Sequence, residues 1–175
     1  METTEKIVEA YVRYVKGCFT LPNIKCGGQF EIDLLAIQQV GKSRLKRYHI
    51  ESGVSISGQF SRLTNKPYSV ETLKIRGKTA EQRRTLGYFV ERKFGAQHIQ
   101  QELEKYGFLP GNYSKVIVSW GWDAGLLEVA QKAGVELWDF KTILQEIAEI
   151  SGSGKTYFTD DTMRTLQLMA KATIK

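Results

Sequence analysis

The chain has 175 residues and a mass of 19.9 kDa, 42% of it hydrophobic and 25% charged, which is enough apolar material for one well-cored domain. No apolar run is long enough to span a bilayer, the acid-bearing start METTEKIVEA lacks the apolar stretch of a secretory signal, and two cysteines, Cys18 and Cys26, are too few for a disulfide framework or a paired zinc site. A cytoplasmic protein with no membrane segment is expected, and a formal charge of +6 favours a polyanionic partner.

In chain order, Thr4–Lys16 reads as a helix capped by Thr3 or Thr4, with Ile7, Val8, Tyr11, Val12 and Val15 as its apolar stripe and Gly17 as its end. An extended piece, Phe19–Ile24, leads through Gly27 and Gly28 to two alternating segments. In Gln29–Ile37, Phe30, Ile32, Leu34 and Ala36 share one side, opposite Glu31, Asp33, Leu35 and Ile37. In Arg47–Ile56, Tyr48, Ile50, Val54 and Ile56 oppose His49, Glu51, Gly53 and Ser55. The two segments form a predicted β-hairpin, and the polar, basic turn Val40–Arg47 belongs at the surface.

Gly58–Lys78 holds no sustained period and reads as a loop, or as an irregular helix before a short strand at Val70–Ile75. Thr79 and Gln82 resemble a capping box opening a helix that runs toward Tyr106, with a break at Gly95. Lys115–Trp120 is a continuous apolar run suited to a strand covered on both faces. A short helix over Asp123–Lys132 and a strand at Val135–Trp138 complete a βαβ crossover with parallel strands. Phe140–Ile150 is a further amphipathic helix, Ser151–Lys155 a linker, and Asp161–Lys171 a last helix packed on the same domain. The order predicts an α/β fold with a mixed central sheet flanked by helices.

Asp33 and Glu51 are the informative pair. They fall mid-strand on adjacent strands, where two carboxylates repel and lose hydration, and a hard divalent cation is the usual compensation. Three basic clusters bracket them: Lys42, Arg44, Lys46 and Arg47 at the hairpin turn; Lys74, Arg76 and Lys78; and Arg83, Arg84, Arg92 and Lys93 on the later helix. Together they raise phosphate binding as an option.

The segments Glu31-Ile32-Asp33-Leu34-Leu35-Ala36 and His49-Ile50-Glu51-Ser52-Gly53-Val54, with the element order, resemble the PD-(D/E)xK nuclease superfamily. This is the restriction-endonuclease-like fold of Mrr-type enzymes and archaeal Holliday-junction resolvases. The resemblance spans roughly residues 5–150, by element order; residues 151–175 follow it. It implies Asp33 as a metal-bridging carboxylate, Glu51 as the second ligand of Mg²⁺ or Mn²⁺, and an acid from the first helix, best matched by Glu9, with Glu5 one turn earlier. It also implies DNA as substrate and, since such relatives often dimerise, a homodimer; of the basic clusters, Lys42, Arg44, Lys46, Arg47, Arg83 and Arg84 are the expected DNA contacts.

The family lysine should stand two residues after Glu51, where this chain has Gly53. Either a basic or polar side chain from elsewhere takes its place, the candidates being His49, Lys25, Lys66 and Gln59, or catalysis is lost and the fold survives as a module that binds nucleic acid or a protein. The first reading is a Mg²⁺-dependent endonuclease with an altered active site, and the second is its silent counterpart. Gly152-Ser153-Gly154-Lys155-Thr156 imitates the end of a P-loop but lacks the upstream glycine and follows a helix, so it reads as a linker. Trp120, Trp122, Trp138 and Phe140 read as packing residues, His98 has no partner at ligand spacing, and no serine has a His/Asp arrangement.

Overall fold

A computed structural model describes residues 2–54, 62–75, 78–152 and 157–173. Gln59, Ser55, Ile56, Arg76 and the 153–156 part of the linker lie outside the described residues.

Five strands form one sheet in the order β1 (Phe19–Lys25), β2 (Glu31–Val40), β3 (Arg44–Ser52), β4 (Ser114–Ser119) and β5 (Val135–Asp139). The first three are antiparallel neighbours, and β3, β4 and β5 run parallel. The sheet is therefore mixed, with its change of sense at β3. The antiparallel half follows from short connections, the parallel half from helical crossovers.

Alternation along the strands separates two covered faces. Leu34, Ala36, Ile50, Val116 and Val118 face α1 (Thr3–Tyr14), α7 (Phe140–Gly152) and α8 (Asp161–Thr173), through Val8, Tyr11, Val12, Ile143, Ile147 and Met163. On the other face Ile117 packs with Leu126 and Ala130 of α6 (Leu126–Lys132) and with Phe89 and Phe94. There too, Leu35 packs with Ile99 and Leu103 of α5 (Gln97–Lys105). Burying about ten large aliphatic side chains per face, at roughly 1.5–3 kcal/mol each, is the main force holding the layers together.

The long central crossover is where the expected elements and the structure differ. Val70–Ile75 is no strand: Val70–Leu73 is a single helical turn, α2, whose first amides are capped by Ser69, with Oγ accepting from the Thr72 N–H at 3.3 Å. Thr79 and Gln82 form no capping box. Thr79 opens the short α3 (Thr79–Gln82) and donates its hydroxyl to the Leu73 carbonyl, while Gln82 Oε1 accepts from the Ser69 N–H. The stretch to Tyr106 is four helical pieces rather than one. After α3 come α4 (Leu86–Tyr88), started by Thr85, a π-helical turn (Phe89–Phe94), and α5 beyond Gly95. Ser151 and Gly152 belong to α7 rather than to a linker. α1 is capped at Glu2, not at Thr3 or Thr4, because the Glu2 N–H finds the Glu5 carboxylate at 2.8 Å.

Among the described residues no helix is long and apolar enough to cross a membrane.

Candidate active site

The β2–β3 register pairs Leu34 with Ile50 and Leu35 with His49, so one step further along the hairpin Asp33 comes beside Glu51. Both point to the α5–α6 face, as alternation requires. The two are linked through the backbone as well: the Ser52 N–H donates to Asp33 Oδ2 at 2.8 Å, and the Asp33 N–H reaches Glu51 Oε1 at 3.4 Å.

The cation between them is Lys93. Its Nζ lies 3.0 Å from Asp33 Oδ1, 2.5 Å from Glu51 Oε2 and 3.0 Å from the Glu31 carbonyl oxygen. Lys93 stands four residues beyond Phe89 on the π-helical turn, so a buried aromatic and a half-buried ammonium share one side of that turn. π turns are rare and concentrate at functional sites, where the extra residue re-aims side chains.

Gly53, where the resemblance expects lysine, is crowded by the same turn. A Cβ there would meet Phe89 Cζ at 3.1 Å and the Val118 carbonyl oxygen at 3.4 Å. The Gly53 N–H is already committed to that carbonyl at 2.8 Å. The positive charge missing from the strand is thus present in the cleft, carried by a neighbouring element.

The other sequence candidates fall in several places. His49 is fully buried; its Nε2 lies 2.7 Å from Glu51 Oε1 and its ring meets Phe94 edge-on at 4.8 Å. It braces Glu51 from behind instead of filling the space of the missing lysine. Lys25 and Lys66 are exposed and do not reach the pair. Lys25 is held by Glu31 at 2.5 Å and Lys66 by Glu81 at 2.5 Å, each the nearest carboxylate to its flexible stem. Glu9 also turns away, because Thr20 Oγ1 donates to Glu9 Oε1 at 2.9 Å and Arg13 lies 3.8 Å from the same oxygen. The helix-α1 acid at the cleft is Glu5.

The cleft, about 450 Å³, is lined by Glu5, Asp33, Ser52, Gly53, Lys93 and, from the α3–α4 connection, Arg83 and Arg84. Lys42, Arg44, Lys46 and Arg47 are elsewhere, at the opposite end of the hairpin. By sequence Lys93 reads as one more surface cation, and the structure corrects this. Its spacing from Phe89 and Phe94 is the signal that could have found it.

Burial sets the electrostatics. Asp33 is 8% exposed and Glu51 fully buried. Burial pushes the Asp33 carboxyl up to about 7, with the Glu51 charge adding to the rise and Lys93 opposing it. Glu51 is likewise pushed up to about 7 by burial, against the pull of Lys93. For Lys93 burial acts downward, but Glu51 and Asp33 outweigh it and hold the ammonium above the usual lysine range. Burial lowers His49 to about 3, so the imidazole is neutral at pH 7. Glu5 is raised by burial and by Asp33, with the hydrogen bond from the Glu2 backbone opposing the rise.

With both acids ionised, one ammonium leaves the pair a net negative charge in a desolvated cleft. Carboxylate oxygens in that state suit a hard divalent cation: Asp33 and Glu5 line the cleft and could hold one, while Glu51 is fully buried behind Asp33 with its oxygens against His49 and Lys93. Among the described residues no three His, Cys, Asp or Glu side chains already converge as a ready-made cation site.

Fold and site together define an α/β protein with a five-stranded mixed sheet and a buried Asp–Glu–Lys cluster at one end of its central hairpin. Comparison with family models, with curated proteins and with solved structures found no match.

Proposed function

We propose that this chain is a Mg²⁺- or Mn²⁺-dependent DNA endonuclease of PD-(D/E)xK type in which Lys93 stands in for the strand lysine. The observation that carries the reading is the position of Lys93 Nζ between Asp33 and Glu51, in the cleft that Gly53 also lines.

The bound cation would supply charge neutralisation at the phosphate and a more acidic water. The chain's own residues do the rest. Asp33 in the cleft wall and Glu51 buried behind it supply the negative charge, held by the Ser52 N–H and by His49 respectively. Lys93 stays protonated, so it acts as a fixed positive charge on the developing phosphorane and not as a base. Arg83 and Arg84 line the same cleft and offer planar, permanently charged donors to the phosphates flanking the scissile bond. The His49 ring, packed against Phe94, keeps one Glu51 oxygen occupied and leaves the other for the cationic side.

Nicking of supercoiled plasmid in Mg²⁺ or Mn²⁺, with Asp33→Asn and Lys93→Met as comparisons, tests the reading. Cleavage that needs the metal and both residues supports it. Cleavage unchanged in either variant removes it. DNA binding with no cleavage under any metal identifies the silent binding module instead.

A further inference from the structure

The hairpin runs on past the sheet. β1 stops pairing with β2 at Ile37, and β4 begins to pair with β3 at Tyr48, yet β2 and β3 go on pairing through Gln38–Lys46, Gln39–Leu45 and Val40–Arg44. Gly41, at φ 67°, closes the turn in the left-handed conformation that glycine adopts without strain. The result is a two-stranded ribbon, Gln38–Arg47, with no strand neighbour on either side among the described residues. From Asp33 to Val40 it lies seven residues along β2, roughly 24 Å at ~3.4 Å per residue, from the acidic pair.

Its charge is one-sided in sign and two-sided in space. The ribbon has four cations and no acid. By register Arg44 and Lys46 lie on one face with Val40, Arg47 lies on the other with Leu45, and Lys42 is at the tip. Val40 and Leu45 are 36% and 48% exposed, although both are apolar. Among the described residues no carboxylate pairs with any of the four cations, and the buried Arg47 Nε has no hydrogen-bond partner. A cleft of about 350 Å³ at the ribbon's root is lined by Arg44, Lys46, Arg47, Tyr48 and Asn112, with one acid, Glu136, on the β5 side.

We propose that this ribbon is a DNA-binding arm that enters the major groove of a duplex, as a site separate from the cleft. A flat anionic surface, whether an acidic protein patch or a membrane, meets one face of a ribbon. Cations on both faces and the tip instead suit a groove walled by phosphates on two sides. The major groove of B-form DNA admits a two-stranded ribbon, whereas that of A-form RNA is too deep and narrow for side chains to read. Entering tip first, the ribbon presents its Gly41–Lys42 turn to the base edges and its two faces to the phosphate walls. The substrate is thereby duplex DNA, gripped away from where it is cut. In this respect the arm rests on the proposed function and deepens it, but the binding itself does not depend on catalysis.

The test is metal-free binding of a 25-base-pair duplex to the Asp33→Asn protein, read by fluorescence anisotropy across a salt series. It is compared with the same protein carrying Lys42→Gln, Arg44→Gln and Lys46→Gln, all at exposed positions. A control carries Lys132→Gln, Lys141→Gln and Lys171→Gln, exposed on other elements, with the same loss of charge. The ribbon variant is expected to bind at least tenfold more weakly, its log–log salt slope less negative by about 2 to 3 at ~0.9 for each phosphate no longer neutralised, while the control changes little. Equal weakening in both triple variants, no weakening in the ribbon variant, or equal affinity for duplex RNA would each overturn the arm. Because the protein used cannot cut, failure of the arm and failure of the cleavage reading remain separate results.

Discussion

The ring of Phe89 stands 3.1 Å from the point where a Cβ on Gly53 would lie, and the turn that carries this ring also carries Lys93 into the acidic pair. One element thus crowds the strand position and also supplies the ammonium. The two features are coupled by sterics: a lysine at 53 and a phenylalanine at 89 compete for the same space.

That coupling makes the first prediction. Lys93→Met should lower metal-dependent cleavage by about 10²–10³-fold, the usual effect of losing one charge-stabilising group, with the circular dichroism spectrum unchanged. Lys93→Arg should retain part of the activity, since the charge survives in a bulkier fork. Gly53→Lys in the intact protein should not add activity and should cost roughly 1–3 kcal/mol through overpacking against Phe89. A Gly53→Lys protein as stable as wild type would show that the Phe89 contact is not restrictive.

The second prediction concerns stability and pH. Asp33 and Glu51 are pushed up to about 7 in the fold, above the usual carboxylate range near 4. Between those values the native state binds more protons than the unfolded chain, so the two acids favour folding below about pH 4. That contribution is lost as pH rises toward 7. His49, lowered to about 3 by burial, works in the opposite sense between pH 3 and 6.5; Asp33 opposes that lowering, so its removal in Asp33→Asn lowers His49 further and leaves the ring neutral at both pH 5 and pH 8. Asp33→Asn leaves Lys93 with a single carboxylate, so it should raise Tm relative to wild type by several degrees at pH 8 and by less at pH 5. At this chain length, roughly 2–4 °C corresponds to 1 kcal/mol. A variant equally destabilised at both pH values would contradict the charge imbalance.

Cation binding follows from the same imbalance. At pH 8 both acids are available to a divalent ion, while at pH 6 protons compete for the same oxygens. Mn²⁺ or Mg²⁺ should therefore raise the wild-type Tm more at pH 8 than at pH 6, by an amount set by RT ln(1 + [L]/Kd), or about 2.7 kcal/mol at a hundredfold excess over Kd. Cleavage should climb with pH and level off above about 7. Differential scanning fluorimetry with Asp33→Asn as the reference checks this, and an equal metal shift in that variant would place the ion elsewhere.

The hairpin and the convergence of Asp33 with Glu51 are legible because period-two alternation sets Asp33 opposite Leu34 and Ala36, although Phe30 and Ile32, expected with Leu34 and Ala36, pack with Leu35 and Ile37 instead. The parallel pair β4 and β5 was legible for a similar reason, since an apolar run, a short helix and a second run allow few arrangements. The region from Gly58 to Tyr106 was not. Its helical pieces are one to three turns long, too short for periodicity to accumulate, and Ser69, Thr85 and Gln82 settle their ends through tertiary hydrogen bonds. Lys93 was misplaced with them. Phe89 and Lys93 at i and i+4, with Phe94 next, put a lysine on an apolar face, and the charge run Glu91-Arg92-Lys93 masked that pattern. By sequence the ribbon looks like a turn, because Val40 and Leu45 interrupt its polar run without supplying a clear alternation.

Glu5 and Glu9 give the last prediction, because one turn of α1 separates an acid in the cleft from one outside it. Glu9 hydrogen-bonds to Thr20 and pairs with Arg13, and both partners tolerate an amide: Gln keeps a carbonyl acceptor for the Thr20 hydroxyl. Surface pairs of the Arg13 kind contribute about 0.3–0.5 kcal/mol, so Glu9→Gln should leave cleavage and Tm nearly unchanged. Glu5 lines the cleft with Asp33 and feels its charge. Glu5→Gln removes an anion from the wall while its side-chain oxygen can still accept from the Glu2 N–H, so the start of α1 should survive. The expected result is about tenfold weaker apparent Mn²⁺ affinity in cleavage, recovered at high metal, and an unchanged helix content, the size of effect seen when an outer partner of a metal site is lost. Reversal of the two phenotypes, with Glu9→Gln impaired and Glu5→Gln normal, would return the first-helix role to Glu9 and require α1 to sit differently against the sheet.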